Sequence, residues 1–441
     1  MTQTLILGKY VLADAESGIK ENWGICVEGK QIKEVGANED LKNKYPQADI
    51  VDATDKIIAP GFINGHMHMY GVLSHGITVE ALVTEFTSFL EDFWWPYVED
   101  QIDHEMVKAT TKMACLEMIK SGITTFYDCL EGPNSIPGAL KAAAEEVDKA
   151  GLRGILSFEA CQRQSEENAQ LGLQENAEFI KWARENYELI SGMMCIHTTF
   201  TCSKDYIKQA REMARELGAK IHMHLSESVY EPTYCKDKYG QTPVEIYNEL
   251  GYLDEDVVAS QGVQLSEEEM GVIARTGARV IHMPLSNCEV GGGVAPVPDL
   301  LEKGVIMGLG TDGYVNNFFE VMRGAFLIHK AYRQDPQTMP AHTVYKMATS
   351  MGAKALGFDN LGELKPGFAA DVITIDALLP TPLNSHNIYD QLVLFRTATD
   401  VKDVMVNGKW VMRNRELLTL DEKEVFEDCH RAAKKMWGNG K

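Results

Sequence analysis

The sequence predicts an α/β fold: a (β/α)8 barrel carrying a small discontinuous β-sandwich domain built from both chain ends. Three observations lead there. Over roughly 300 central residues, about eight short apolar runs ending in polar residues alternate with longer helical patterns, the order a closed parallel barrel requires. The two chain ends carry similar β-hairpin patterns, which points to one shared domain. A length of 441 residues suits a large barrel with an appendage. The expected division is residues 1–58 as the first part of the β domain, 59–361 as the barrel, and 362–441 as the second part with a terminal helix.

Each element follows from its local pattern. ICVEGKQIKEVG (25–36) alternates polar and apolar residues around a turn at 28–30, a hairpin signature. Strand-like runs follow in GFINGHMH, GITTFYD, GLRGILSF, SGMMCIHTTF, AKIHMHLSES, DVVASQGVQLS, ARVIHMPLSN and VIMGLGTDG. Between them lie helical stretches such as HEMVKATTKMACLEMIKSG, DYIKQAREMARELG and EVMRGAFLIHKAYRQ. DVMVNGKWVMRN (403–414) is a second hairpin, with Asn407-Gly408 as its turn, and residues 416–441 end the chain in a helix.

Composition narrows the function. Hydrophobic residues make up 45% and charged residues 24%, an ordinary globular balance. Lys plus Arg total 42 against 64 Asp plus Glu, a net charge of −22, which disfavours nucleic-acid phosphate or an anionic membrane as partner. No apolar run is long enough to span a bilayer, and the N-terminal pattern lacks the features of a signal peptide, so the cytoplasm is the expected compartment. Nine cysteines run from Cys26 to Cys429 with no C-x-x-C pair, which suggests reduced thiols.

The chemistry-bearing residues sit at the ends of the strand-like runs. His66 and His68 lie at i and i+2, so a strand presents both on one face, half of a metal site. His197, His224 with Glu227, and Asp312 close other runs. In a (β/α)8 barrel these ends converge on one face. Several imidazoles and a carboxylate form the donor set of a hydrolytic zinc or iron site, and a divalent ion there lowers the pKa of its bound water. Glu227, three residues after His224, is placed beside such an ion and suits the task of taking the water's proton and passing it on.

This set resembles the amidohydrolase superfamily, in its mononuclear deaminase and chlorohydrolase branch, which includes S-adenosylhomocysteine and methylthioadenosine deaminases, guanine deaminase and triazine hydrolases. The resemblance runs nearly end to end, through IIAPGFINGHMH, IHMHLSES, VIHMPLSN, MGLGTDG and GELKPGFAADVITID. It implies that His66, His68, His224 and Asp312 bind one divalent metal, zinc before iron, and that Glu227 shuttles the proton with Asp312. It implies that His197 faces the substrate ring. The expected substrate is a small nitrogen heterocycle, such as a purine, nucleoside, pterin or triazine, losing ammonia by hydrolysis; relatives suggest a homodimer or homotetramer.

Two positions depart from the family pattern. The sixth strand reads ASQGVQLS, placing Gln261 where relatives carry a histidine that holds the water. A glutamine amide hydrogen-bonds but does not become a cation near neutrality. His75 stands where relatives often carry arginine, and is a candidate to reach substrate or the space that the sixth-strand histidine leaves. Trp94-Trp95 and Asn316-Asn317 are candidates for substrate contacts, with Trp95 and Asn316 taken as the contacting members; rim packing and helix capping are their structural alternatives. His222, His282 and His329 read as satisfied core residues. GLGTDG matches G-x-G-x-x-G, but Asp312 within it would repel a pyrophosphate. Two alternatives to a deaminase stay open: a C–N hydrolase with another leaving group, and a metal-binding protein of this fold without turnover, which Gln261 favours and Glu227 opposes.

Overall fold

A computed structural model describes residues 3–439. Its centre is a barrel of parallel strands: Phe62–Met67, Ile123–Leu130, Arg153–Phe158, Ile190–Cys195, Ile221–Leu225, Val257–Gln261, Arg279–His282 and Met307–Leu309. The fourth strand is split. Ile190–Gly192 pairs with the third strand and Met194–Cys195 with the fifth. Between the two pieces, Met193 N donates to Leu156 O at 3.2 Å and Met194 N to Lys220 O at 3.0 Å, so this one strand closes the ring. Strand side chains are buried on both faces, as a parallel sheet covered by helices demands. Tyr127, Ile155, Val258 and Ile281 fill the inside, while Phe62, Phe126 and Met223 pack outward with the helices.

The chain ends form a second, nine-stranded sheet. Gln3–Leu12 pairs with Trp23–Glu28 antiparallel and with Asp49–Pro60 in parallel, and Asp49–Pro60 then pairs with Val372–Asp376, joining the two ends of the chain. The sheet wraps on itself: Ile6, Ile25 and Ile32 from one end share a core with Val372, Met405 and Trp410 from the other. Both expected hairpins are present, Glu28 pairing with Gln31 and Val406 with Lys409. Their tips touch. Gly408, at φ 78°, lies where a Cβ would come within 2.0 Å of the Gly29 carbonyl oxygen, so only glycine fits.

The terminal helix, Glu422–Asn439, packs on the barrel helix His104–Ser121, with Lys112 Nζ 2.7 Å from Asp428. Trp437 Nε1 reaches the Leu73 carbonyl at 2.8 Å, tying the helix to the segment after the first barrel strand. No described helix is long and apolar enough to cross a membrane, and all nine cysteines are free.

One buried ion pair locks the two chain ends together. Lys56 Nζ lies 2.9 Å from Asp403, whose side chain is fully buried, and Arg413 Nε stands 3.0 Å from its other oxygen. Burial alone would raise the Asp403 carboxyl, but hydrogen bonds from Thr374, the Asn414 N–H and Lys56 outweigh it and hold it below the usual range. A depressed folded pKa adds stability above the unfolded value and loses it as pH falls through the folded one. Asp403→Asn is therefore expected to cost about 3 kcal/mol at neutral pH. In urea unfolding, the gap between wild type and variant should close under acid conditions.

Candidate active site

The site gathers at the C-terminal mouth of the barrel. The eighth and first strands are neighbours, and Thr311 N and Asp312 N both donate to the His66 carbonyl, at 3.0 and 3.2 Å. This brings Asp312 beside the H-x-H pair. A register shift between Asn64 and Met67 bends the end of the first strand as a bulge does. Ser226, Gln261 and Asp312 adopt φ of 49°, 76° and 59°, left-handed conformations rare for such residues. All three fall where a strand ends at the site, and backbone strain of this kind clusters at functional centres.

Three donor atoms converge. His66 Nε2 and His68 Nε2 are 3.2 Å apart, and Asp312 Oδ1 lies 3.0 Å from His68 Nε2 and 3.8 Å from His66 Nε2. The His224 ring sits 4.9 Å from that of His66 and 5.4 Å from that of His68, with donor atoms of all three histidines within 4.8 Å of one another. Nδ1 of His68 donates to the Cys129 carbonyl at 2.7 Å, leaving its Nε2 lone pair aimed at the centre. Ligand atoms of a tetrahedral ion at usual bond lengths stand about 3.4 Å apart, so this spacing fits a divalent metal.

Electrostatics agrees with that fit. Burial, then the neighbouring imidazoles, hold His66 well below its ordinary pKa, and burial with His68 brings His224 down to about 4, so both are neutral donors. Burial alone would raise Asp312, yet His68 and the other imidazoles hold it well below the carboxylate range. His68 is driven the other way: burial opposes its proton, but Glu131 and Asp312 raise it well above normal. The carboxylates demand a positive charge at this point, and a divalent cation meets the same demand.

Gln261 occupies the end of the sixth strand, fully buried. Its Nε2 donates to Asp312 Oδ2 at 2.8 Å, and its Oε1 accepts from Asn287 Nδ2. Ser286 Oγ donates to the same Asp312 oxygen at 2.8 Å. Asp312 is thus held from behind by two neutral donors on Oδ2, while Oδ1, which also accepts the Gly313 N–H at 3.0 Å, faces the histidines. Sequence reasoning missed Ser286 and Asn287 as site residues, although VIHMPLSN carried them.

A cavity of about 470 Å³ opens above these groups, lined by His68, His197, His224, Glu227, Gln261 and Asp312, with Phe86, Phe89, Phe93 and Trp94 forming an aromatic wall. His197 has Nδ1 2.9 Å from Thr201 Oγ1 and 3.6 Å from Glu159, leaving Nε2 for the chamber. Glu227 faces the same space; burial, then the charge of Asp312, raises its pKa well above the usual range. Glu99 and Glu131 also reach the chamber, and Glu159 stands behind them with an oxygen 2.9 Å from His224 Nδ1, off the line of a hydrogen bond. Burial and neighbouring acids push Glu131 and Glu159 up to about 7. No motif marked these three acids.

Two sequence expectations need correction, and a third holds only in part. Trp94, not Trp95, lines the chamber: its ring stacks on Phe89 and its Nε1 donates to Tyr70 Oη at 3.2 Å. Trp95, one helical position on and so about 100° around the axis, lies under the Arg163 guanidinium at 5.0 Å. Asn316 turns away from the chamber and donates to Glu117 at 2.7 Å, while Asn317 caps the helix Phe318–Arg333. His75 lines the chamber, but at its exposed rim, with Nε2 3.4 Å from the Gly313 carbonyl; Gln261 and Asn287 close the inner position. His222 lies beneath the centre, its ring stacked on His66 at 4.9 Å, and His282 pairs with His329 at 3.1 Å away from it.

Known proteins share this architecture. The Amidohydrolase family model matches residues 57–411. A 5′-deoxyadenosine deaminase from Methanosarcina mazei is 33% identical, covering 99% of both chains. A 5-methylthioadenosine/S-adenosylhomocysteine deaminase from Thermococcus sibiricus is 35% identical over 92% of this chain and 93% of its own. Among solved structures, an adenosine deaminase from Xanthomonas campestris with bound zinc superposes with a TM-score of 0.89 at 26% identity, covering 99% of this chain and 98% of that one. With the barrel, the converging donors and these relatives together, the chain belongs to the amidohydrolase family.

Proposed function

We propose that this protein is a zinc-dependent hydrolase that deaminates a nitrogen heterocycle, with 5′-substituted adenosines as the first substrates to test. Residues 59–361 are its catalytic unit, and 1–58 with 362–441 the flanking β domain. The observation that carries the reading is Glu227 facing the same chamber as the convergent His66, His68, His224 and Asp312. A scaffold has no use for a proton-carrying carboxyl poised there. The named activities of full-length relatives, and the zinc in an adenosine deaminase of the same fold, support the reaction class and the metal.

His66, His68, His224 and Asp312 would hold the ion, which when bound brings the pKa of water toward neutrality. Glu227 takes one proton from the water that attacks the amine-bearing carbon and gives it to the ring nitrogen, then takes the second proton from the new hydroxyl and gives it to the departing amine. A C–O bond forms, the C–N bond breaks, and ammonia leaves. His197, with Nδ1 engaged by Thr201, presents Nε2 to the ring. Trp94 and the phenylalanines beside it cover the planar heterocycle. Gln261 is a positioning residue: one N–H fixes Asp312, and the other remains for water.

Ammonia release from 5′-deoxyadenosine, other adenosine derivatives, aminopurines, pterins and aminotriazines tests the reading. Turnover of one group is expected, and Glu227→Gln should lower kcat by roughly 10²–10⁴ while the metal content stays at one ion per chain. Metal retained with no ammonia from any compound would overturn deamination. Gln261→His should reduce activity roughly 10–100-fold, because an imidazole does not serve Asp312 and Asn287 together as the amide does. A gain in activity would instead mark Gln261 as a decayed histidine site. Chelation should abolish activity and lower the Tm, and zinc should restore both.

A further inference from the structure

The fourth and fifth barrel strands bring His197 and Glu227 to the chamber, yet their pairing ends before the turns that aim both side chains. Its last bond is His224 N donating to the His197 carbonyl at 3.0 Å. Beyond it the chain forms two separate turns, and one side chain spans the gap between them. Glu231, only 2% exposed in the first turn of the helix Tyr230–Tyr239, accepts from both. Its Oε1 takes the Thr199 N–H at 3.0 Å and the Thr199 hydroxyl at 2.6 Å. Its Oε2 takes the Ser226 N–H at 2.6 Å. Cys235, one turn along the helix, backs the same hydroxyl at 2.9 Å. A carboxyl is costly to bury unless its oxygens are met by donors, and here the donors come from these two turns.

Each turn governs one working side chain. In the first, Thr201 Oγ1 meets His197 Nδ1 at 2.9 Å and accepts the Thr198 N–H at 3.3 Å, so the aim of the imidazole follows the backbone on either side of Thr199. In the second, Ser226 stands at φ 49°, a conformation serine rarely adopts, and directly precedes Glu227. The Ser226 carbonyl accepts from Val263 N at 3.1 Å and Gln264 N at 2.8 Å, and Glu231 holds its N–H. Gly292 packs behind: a Cβ there would come within 2.5 Å of the Glu227 carbonyl oxygen. We propose that Glu231 is a positioning residue: by clasping the two turns it sets where the Glu227 carboxyl stands relative to the ring that His197 faces. Glu231 itself lies outside the chamber lining, so its effect passes through the residues it holds. The inference rests on the deaminase reading above and names what keeps its proton carrier in place.

Glu231→Gln keeps the shape of the clasp but not its bonding, since an amide has one acceptor oxygen and its NH2 would face a backbone N–H. In the zinc-loaded enzyme it is expected to lower kcat roughly 10–100-fold with the metal content unchanged. In the Glu227→Gln background most of that loss should vanish, because misplacement costs little once the carrier is gone. A residue needed only for folding would cost the same in both backgrounds. That result overturns the inference, as does unchanged kcat or a lost metal in Glu231→Gln. Hydrogen–deuterium exchange gives a readout that needs no turnover: exchange at Thr199 and Ser226 should rise together in Glu231→Gln, and no rise at either turn overturns the clasp. Thr199→Val, which removes one bond to Glu231, goes through the same cycle should Glu231→Gln not fold. A smaller loss that again shrinks beside Glu227→Gln is expected, and the same outcomes decide it. Exchange rising at both turns without ammonia from the wild type would uphold the clasp and overturn the deaminase reading instead.

Discussion

Inside the barrel mouth the Nε2 lone pairs of His66 and His68 face each other at 3.2 Å, with a carboxylate oxygen of Asp312 beside them. Three donors aimed at one point repel unless a cation stands between them, and the surroundings hold them there regardless. The Cys129 carbonyl fixes one ring, Gln261 and Ser286 hold the carboxylate, and the backbone of Asp312 is bonded to His66. The split fourth strand completes the ring of neighbours on which this convergence depends.

Gln261 sets the character of the centre. The family resemblance leads one to expect an imidazole at the sixth strand, a group that takes and releases protons. Here an amide links Asp312 to Asn287 and carries no proton of its own to exchange near neutrality. In the proposed reaction proton transfer falls to Glu227, whose pKa burial and the charge of Asp312 raise.

An acidic wall flanks the metal position. Glu99, Glu131 and Glu159 come from three separate elements and meet only because the first three barrel strands stand side by side. Burying them together raises their pKa values, and shared protons and Arg163 offset the cost of that burial.

The residues alone determined the barrel, the β domain shared by the chain ends, and the cluster of His66, His68, His197, His224, Glu227 and Asp312, because strand periodicity and strand-end position are local properties. The family resemblance also singled out Gln261 as the departure. What it does could not be read there: a side chain at a strand end meets whatever the next strand presents, and Asn287 and Ser286 arrive from the seventh. Trp94 and Trp95 are adjacent in sequence and equal in chemistry, and the phase of one short helical segment decides which of them enters the chamber. Asn316 is polar and follows Asp312, yet Glu117 from a distant helix claims it. Local pattern determines which residues can act. Which of them face one another is settled by packing between elements far apart in the chain, and only the tertiary structure holds that information.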